Sequence, residues 1–165
     1  MMVFLIGMPG SGKTSLGQIV AQRLGFDFID LDRAVEEKAR CAIPEIFAKQ
    51  GEVGFRDLET RALCGLECNT PTLVATGGGI VLRPGNVEYM RQAGFVVYID
   101  RPLEKILADI SFSTRPLLAG ADGEAKLKAL LAERHGLYAT TAHAVFVNDG
   151  ELEEMAEGLC ALVSE

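Results

Sequence analysis

The sequence predicts an α/β fold, a three-layer αβα domain on a five-stranded parallel sheet. Three observations carry the prediction. Strand-like and helical segments alternate along all 165 residues, the pattern that yields a parallel sheet with helices on both faces. The strand-like segments are short apolar runs without polar alternation, Val3-Phe4-Leu5-Ile6 being the first, as expected of strands buried on both faces. Glycine-rich or acidic residues follow the first three strands: residues 7–14, then Asp30 and Asp32, then Gly77-Gly78-Gly79. Open parallel sheets bind ligands beyond the carboxyl ends of their strands, so these three groups are expected to share one site.

Each element has a local reason. Residues 3–6 form a strand, and residues 12–24 a helix that Gly25 ends as a C′ residue. A short strand covers 26–29. Helices are expected over 32–40, with Asp32 a candidate N-cap, over 43–49, with Pro44 in the first turn, and over 52–66. Residues 72–75 make the third strand and run into the glycine triplet. Residues 84–92 form a helix followed by Gly94, residues 95–99 the fourth strand, and residues 102–109 another helix. Residues 111–123 show little periodicity and hold two Gly and one Pro; a long irregular segment in so small a domain is a lid candidate. A helix over 124–140, locally interrupted at Gly136, a fifth strand over 144–147 and an amphipathic helix over 151–163 complete a single domain.

Composition narrows the function. Hydrophobic residues make up 48% and charged residues 24%, ordinary for a globular domain. A net charge of −7 argues against nucleic acid as a partner, since a phosphate backbone needs a basic face. No apolar run reaches the roughly 18–20 residues that span a bilayer, and the N-terminus carries no signal-peptide pattern, so a cytoplasmic protein without a membrane partner is expected. Cys64 and Cys68 are spaced i, i+4 on a predicted helix, but no second Cys/His pair completes a metal site. With Cys41 and Cys160 they read as thiols of a reducing compartment.

The most informative segment is Gly7-Met8-Pro9-Gly10-Ser11-Gly12-Lys13-Thr14, a complete G-x-x-x-x-G-K-T loop between a strand and a helix. The glycines let successive N–H groups converge on one anion, the helix adds its positive end, Lys13 reaches the β- and γ-phosphates, and the Thr14 hydroxyl can ligate Mg²⁺. A nucleoside triphosphate is therefore the expected ligand. Asp30 and Asp32 point to one side of an extended segment; one could steady the metal through water and the other hold or deprotonate an acceptor hydroxyl. Arg56 is suited to gripping a carboxylate, with Glu59 one turn on to orient it, although spacing alone favours a solvated ion pair worth under about 1 kcal/mol. The glycine triplet allows close backbone approach to a ligand or a simple tight turn. Arg115, in the lid candidate, could close over the phosphates, and Arg134 could equally be a surface residue.

Together these pieces resemble the shikimate kinases, in the family's order and over nearly the whole chain. The resemblance rests on residues 7–14, Phe28-Ile29-Asp30-Leu31-Asp32, Ile43-Pro44-Glu45-Ile46-Phe47, residues 51–56 with Glu59, Thr76-Gly77-Gly78-Gly79, Arg115-Pro116-Leu117-Leu118, and Glu133-Arg134 with Leu137-Tyr138. It implies ATP bound by Gly10, Ser11, Gly12, Lys13, Thr14, Ser15 and Arg115, and Mg²⁺ held by Thr14 and, through water, Asp30. It implies shikimate held by Asp32, Arg56, Gly77, Gly78, Gly79 and Arg134. Lys13, Asp32 and Arg115 are the implied catalytic residues, residues 31–60 the substrate-binding segment, residues 111–123 the lid, and a monomer the implied state. The chain departs from the family in lacking an adenine-packing Arg in Ile106-Leu107-Ala108-Asp109-Ile110, in the acidic stretch Asn148-Asp149-Gly150-Glu151, and in carrying Gly136 where Pro is usual.

Two other classes compete. A related small-metabolite kinase, such as a gluconate kinase, is opposed by the two arginines and the glycine triplet. A nucleotide-binding regulatory module without catalysis would be expected to lack Lys13, Asp32 or Arg115, and all three are present.

Overall fold

A computed structural model describes residues 1–112 and 115–164. Strands β1 (Met2–Ile6), β2 (Asp27–Asp30), β3 (Thr72–Ala75), β4 (Gly94–Asp100) and β5 (Ala144–Val147) form one sheet in the order β2-β3-β1-β4-β5, every pair parallel. The chain leaves β1 towards β2 on one side and later crosses to β4 and β5 on the other. The carboxyl end of β1 therefore lies where the strand order reverses, and a crevice opens there.

Helices α1 (Lys13–Leu24), α2 (Leu31–Ala39), α3 (Ile43–Cys64), α4 (Pro84–Ala93), α5 (Leu103–Asp109), α6 (Gly123–Thr141) and α7 (Leu152–Ser164) cover the sheet. Strand β1 explains the layering. Val3 and Leu5 point to one face, into a core with Leu16 and Val20 of α1 and Leu159 of α7. Phe4 and Ile6 point to the other, against Val35, Ile46, Met90 and Tyr138. Both faces are dry, so the strand needs no polar alternation.

The expected elements are present, with instructive shifts. Asp30, not Asp32, caps α2: its carboxylate accepts from the Asp32 and Arg33 backbone N–H groups. This leaves Asp32 inside the first turn with its side chain free for other work. The two helices expected over 43–49 and 52–66 form one element kinked at Gly51, whose φ of 69° and ψ of −176° suit glycine. Gly136 does not interrupt α6, because a single exposed glycine costs a helix only about 1 kcal/mol. Cys64 is the last residue of α3 and Cys68 lies beyond it, so they are not one turn apart on a helix. A short 3₁₀ turn, Ile80–Leu82, follows the glycine triplet and had no periodic signal. Of the expected lid, Ser113 and Thr114 lie outside the described residues; Arg115 begins a turn in which the Leu118 N–H donates to the Arg115 carbonyl.

Candidate active site

Three cavities line up along the carboxyl edge of the sheet. The middle one, about 340 Å³, lies over the loop between β1 and α1 and is lined by Gly10, Gly12, Lys13, Thr14 and Ser15. Gly10 (φ 76°) and Gly12 (φ 95°) hold left-handed conformations, and Gly12 is also the N-cap of α1. Loop amides and the positive helix end therefore face the same space. Ser11 lies beneath, fully buried, its carbonyl accepting from Asn148 Nδ2 at 2.8 Å.

Lys13 is 8% exposed. Its Nζ folds back onto the carbonyl oxygens of Gly7 (2.9 Å) and Met8 (2.8 Å) and onto Ser11 Oγ (3.4 Å). Burial lowers its pKa to about 8, with Asp32 opposing and Arg115 reinforcing the shift. An ammonium held this way gains from an anion entering the cavity.

Thr14 and Asp30 meet at the mouth. The two oxygens of Asp30 are divided: Oδ1 caps α2, and Oδ2 accepts from Thr14 Oγ1 at 2.8 Å. A hydroxyl and a carboxylate oxygen side by side are hard donors that suit Mg²⁺. Among the described residues no three His, Cys, Asp or Glu side chains gather to hold a metal alone.

The second cavity, about 310 Å³, lies beyond Asp32 and Arg115, which line both. Its walls include Phe47 and Phe55, whose ring centroids are 4.9 Å apart, and its base holds two buried guanidinium groups. Arg56 is 7% and Arg134 3% exposed, and among the described residues neither Nε has a partner. The sequence spacing favoured a solvated Arg56–Glu59 pair; the structure corrects this. Glu59 is 0% exposed, and Arg56 Nη1 donates to its Oε2 at 3.0 Å. Burial raises the Glu59 pKa, with Arg56 opposing. The pair is dry because α3 packs against the glycine triplet, which no i, i+3 spacing reveals.

The triplet makes room for these charges. A Cβ on Gly77 would lie 2.6 Å from Glu59 Oε1 and 2.8 Å from Asp32 Oδ1, and one on Gly79 would overlap the Arg56 guanidinium. Tyr138 of α6 donates its hydroxyl to the Gly78 carbonyl, which ties the loop to the helix carrying Arg134. Asp32 stands at the junction. Its Oδ1 has no partner among the described residues, and burial followed by Asp30 raises its pKa, while Lys13, Arg115 and Arg56 pull it down.

The third cavity, about 460 Å³, shares Gly12, Ser15, Arg101 and Asp109 with the phosphate cavity. The departing segments meet here, through Ala108, Asn148, Gly150 and Glu151. Sequence reasoning missed Arg101. The signal was available: it is the first residue after β4, and strand ends are where ligands bind.

A triphosphate cradle that opens through one aspartate into an arginine-floored cavity is the layout of a phosphate-loop kinase acting on a small anionic acceptor. The comparisons narrow the class. The shikimate kinase family model matches residues 9–163. A shikimate kinase of Clostridium botulinum is 42% identical over 161 residues, 98% of this chain and 96% of the relative. Two solved structures superimpose closely. The shikimate kinase of Acinetobacter baumannii in complex with shikimate has a TM-score of 0.93 at 38% identity, covering 99% of this chain and 92% of that one. The enzyme of Aquifex aeolicus has a TM-score of 0.85 at 32% identity, covering 99% and 96%. The chain belongs to the shikimate kinase family and is an enzyme of phosphoryl transfer. This sets aside the gluconate kinase and regulatory readings. No helix among the described residues is long and apolar enough to cross a membrane.

Proposed function

We propose that the chain transfers the γ-phosphoryl group of ATP to the 3-hydroxyl of shikimate, the step that serves chorismate and aromatic amino acid biosynthesis. The observation that carries this reading is the buried Arg56–Arg134 floor opposite Asp32, in a cavity that Asp32 and Arg115 join to the phosphate loop. Shikimate is a polyol with one carboxylate. The two guanidiniums grip the carboxylate, Gly77, Gly78 and Gly79 line the ring's berth, and Asp32 holds the ring hydroxyls. A carboxylate with a raised pKa is the better base, and Asp32 takes the proton of the attacking hydroxyl. The hydroxyl oxygen bonds to the γ-phosphorus as the β–γ bridging oxygen leaves with ADP. Gly10, Ser11, Gly12 and Ser15 shape the cradle, while Lys13 and Arg115 neutralise the charge that spreads over the transferring group. Mg²⁺, held by Thr14 and through water by Asp30, would offset phosphate charge when bound. Residues 31–60 form the acceptor-binding segment and residues 111–123 the lid, which excludes water so that ATP is not hydrolysed idly. The reading includes a monomer in the cytoplasm.

Product analysis tests it. After incubation with Mg·ATP and shikimate, NMR should show phosphorus coupled to the proton on C3. Phosphate on another hydroxyl, or no phosphorylated acceptor, contradicts the assignment.

A further inference from the structure

Arg56 is aimed by two neighbours. Glu59 holds one end of its guanidinium at 3.0 Å, and the backbone of Gly79 abuts it so closely that a Cβ there would overlap the group. Glu59 lies on the same helix as Arg56. Gly79 lies in a loop, and a loop keeps its place to within about 0.5 Å only when other groups hold it. What holds Gly79 therefore decides how well Arg56 is aimed.

Tyr138 ties down Gly78 on one side. On the other, the chain passes through the 3₁₀ turn, where the Ile80 N–H donates to the Gly77 carbonyl at 3.2 Å and the Leu82 N–H to the Gly79 carbonyl at 3.1 Å. Hydrogen bonds in so short a turn are poorly aligned, and the turn needs support from outside. Two residues supply it. Arg83 reaches back to α3, its Nη1 donating to Thr60 Oγ1 at 3.3 Å and its Nη2 pairing with Asp57 Oδ1 at 2.8 Å. The Arg83 and Asp57 side chains are 34% and 52% exposed, and a pair that open to water contributes little. Asn86, in the first turn of α4, is 1% exposed, and its Nδ2 donates to the Ile80 carbonyl at 3.1 Å. That bond is dry, so it is the stronger of the two supports.

The residue type agrees. A helix start favours an acidic side chain, yet the first turn of α4 has none. An aspartate at this position would set a carboxylate against the Ile80 carbonyl. Asn86 Oδ1 is itself buried without a partner among the described residues, which costs stability that an apolar side chain of the same shape would not lose. What the position gains in return is the amide donor.

We infer that Asn86 is a positioning residue for the acceptor grip. Through the Ile80 carbonyl it fixes the turn that follows Gly79, and through Gly79 it fixes the Arg56 guanidinium. The inference rests on the proposed hold of Arg56 on the acceptor carboxylate. Unlike a residue that supports the fold alone, Asn86 acts on one substrate and only by way of Arg56.

Steady-state kinetics with both substrates varied tests this on the wild type, Asn86→Ala, Arg56→Lys and the double variant. Asn86→Ala should raise the shikimate KM about tenfold and leave the ATP KM within about twofold. In the Arg56→Lys background the same substitution should change the shikimate KM by no more than about twofold, because the group it positions is already gone. Arg83→Ala should move it less than about threefold. An unchanged shikimate KM in Asn86→Ala overturns the inference. So does an equal rise for both substrates, or a tenfold effect that persists beside Arg56→Lys, since either marks general loosening. An effect of Arg83→Ala as large as that of Asn86→Ala overturns the assignment to Asn86. If Asn86→Ala does not fold, hydrogen exchange on the wild type carries the test: the Ile80 and Leu82 amides should exchange as slowly as those of β3, and exchange at the rate of an exposed loop overturns the inference. A wild type that does not phosphorylate shikimate sinks the acceptor assignment, while the exchange result still reads the turn.

Discussion

Gly79→Ala is a one-carbon probe of the acceptor site. Gly79 has φ −98° and ψ 9°, a conformation any residue adopts, so alanine adds no backbone strain. The added methyl would overlap the Arg56 guanidinium carbon and both of its terminal nitrogens, far inside the roughly 3.5–4.0 Å of ordinary contact. The guanidinium must swing away. It then loses Glu59 Oε2 at 3.0 Å and its aim into the cavity. A charge-assisted hydrogen bond is worth about 1.5–3 kcal/mol. Losing about 2 kcal/mol of grip on the acceptor carboxylate corresponds to about a thirtyfold rise in the acceptor KM. Glu59, fully buried, is left without this partner, so the Tm should fall as well. Steady-state kinetics with each substrate varied in turn is the assay: the shikimate KM should rise about thirtyfold while the ATP KM stays within twofold. An unchanged shikimate KM in a folded Gly79→Ala variant would show that Arg56 does not hold the acceptor.

Further outcomes follow from the charged groups. Lys13 has its pKa lowered to about 8 chiefly by burial, and bound phosphate raises it again, so ADP binding at pH 8.5 should take up protons. Calorimetry in two buffers of different ionisation enthalpy reads this, and identical heats contradict it. Asp32 has its pKa raised by burial and Asp30; the stability it contributes is present below the unfolded carboxylate value and lost as pH rises through the folded one. Asp32→Asn should therefore raise the Tm at neutral pH while turnover falls about 10²-fold or more; a variant both less stable and fully active refutes the assignment. Tyr138→Phe removes the bond to the Gly78 carbonyl and should cost about 1 kcal/mol of stability with a raised shikimate KM, checked by thermal melts and kinetics.

The strands and the phosphate loop were legible because their causes are local. A continuous apolar run such as residues 3–6 has few fates besides a doubly covered strand, and G-x-x-x-x-G-K-T carries its own geometry. Arg56 was not legible from spacing: whether its pair with Glu59 is dry depends on the triplet loop more than 15 residues away in the chain, and only the family resemblance singled it out. The cap of α2 was misplaced by two residues because Asp30 and Asp32 are both good caps, and Thr14 across the site helps decide which one turns. Arg101 escaped because its partners, Gly10 and Asp109, belong to other elements.

The most direct test is ADP release in a coupled assay with Mg·ATP, with and without shikimate, beside Lys13→Ala. Turnover that requires shikimate and vanishes in Lys13→Ala is the predicted result. ATP binding with no shikimate-dependent ADP release would contradict the assignment of the arginine-floored cavity to shikimate.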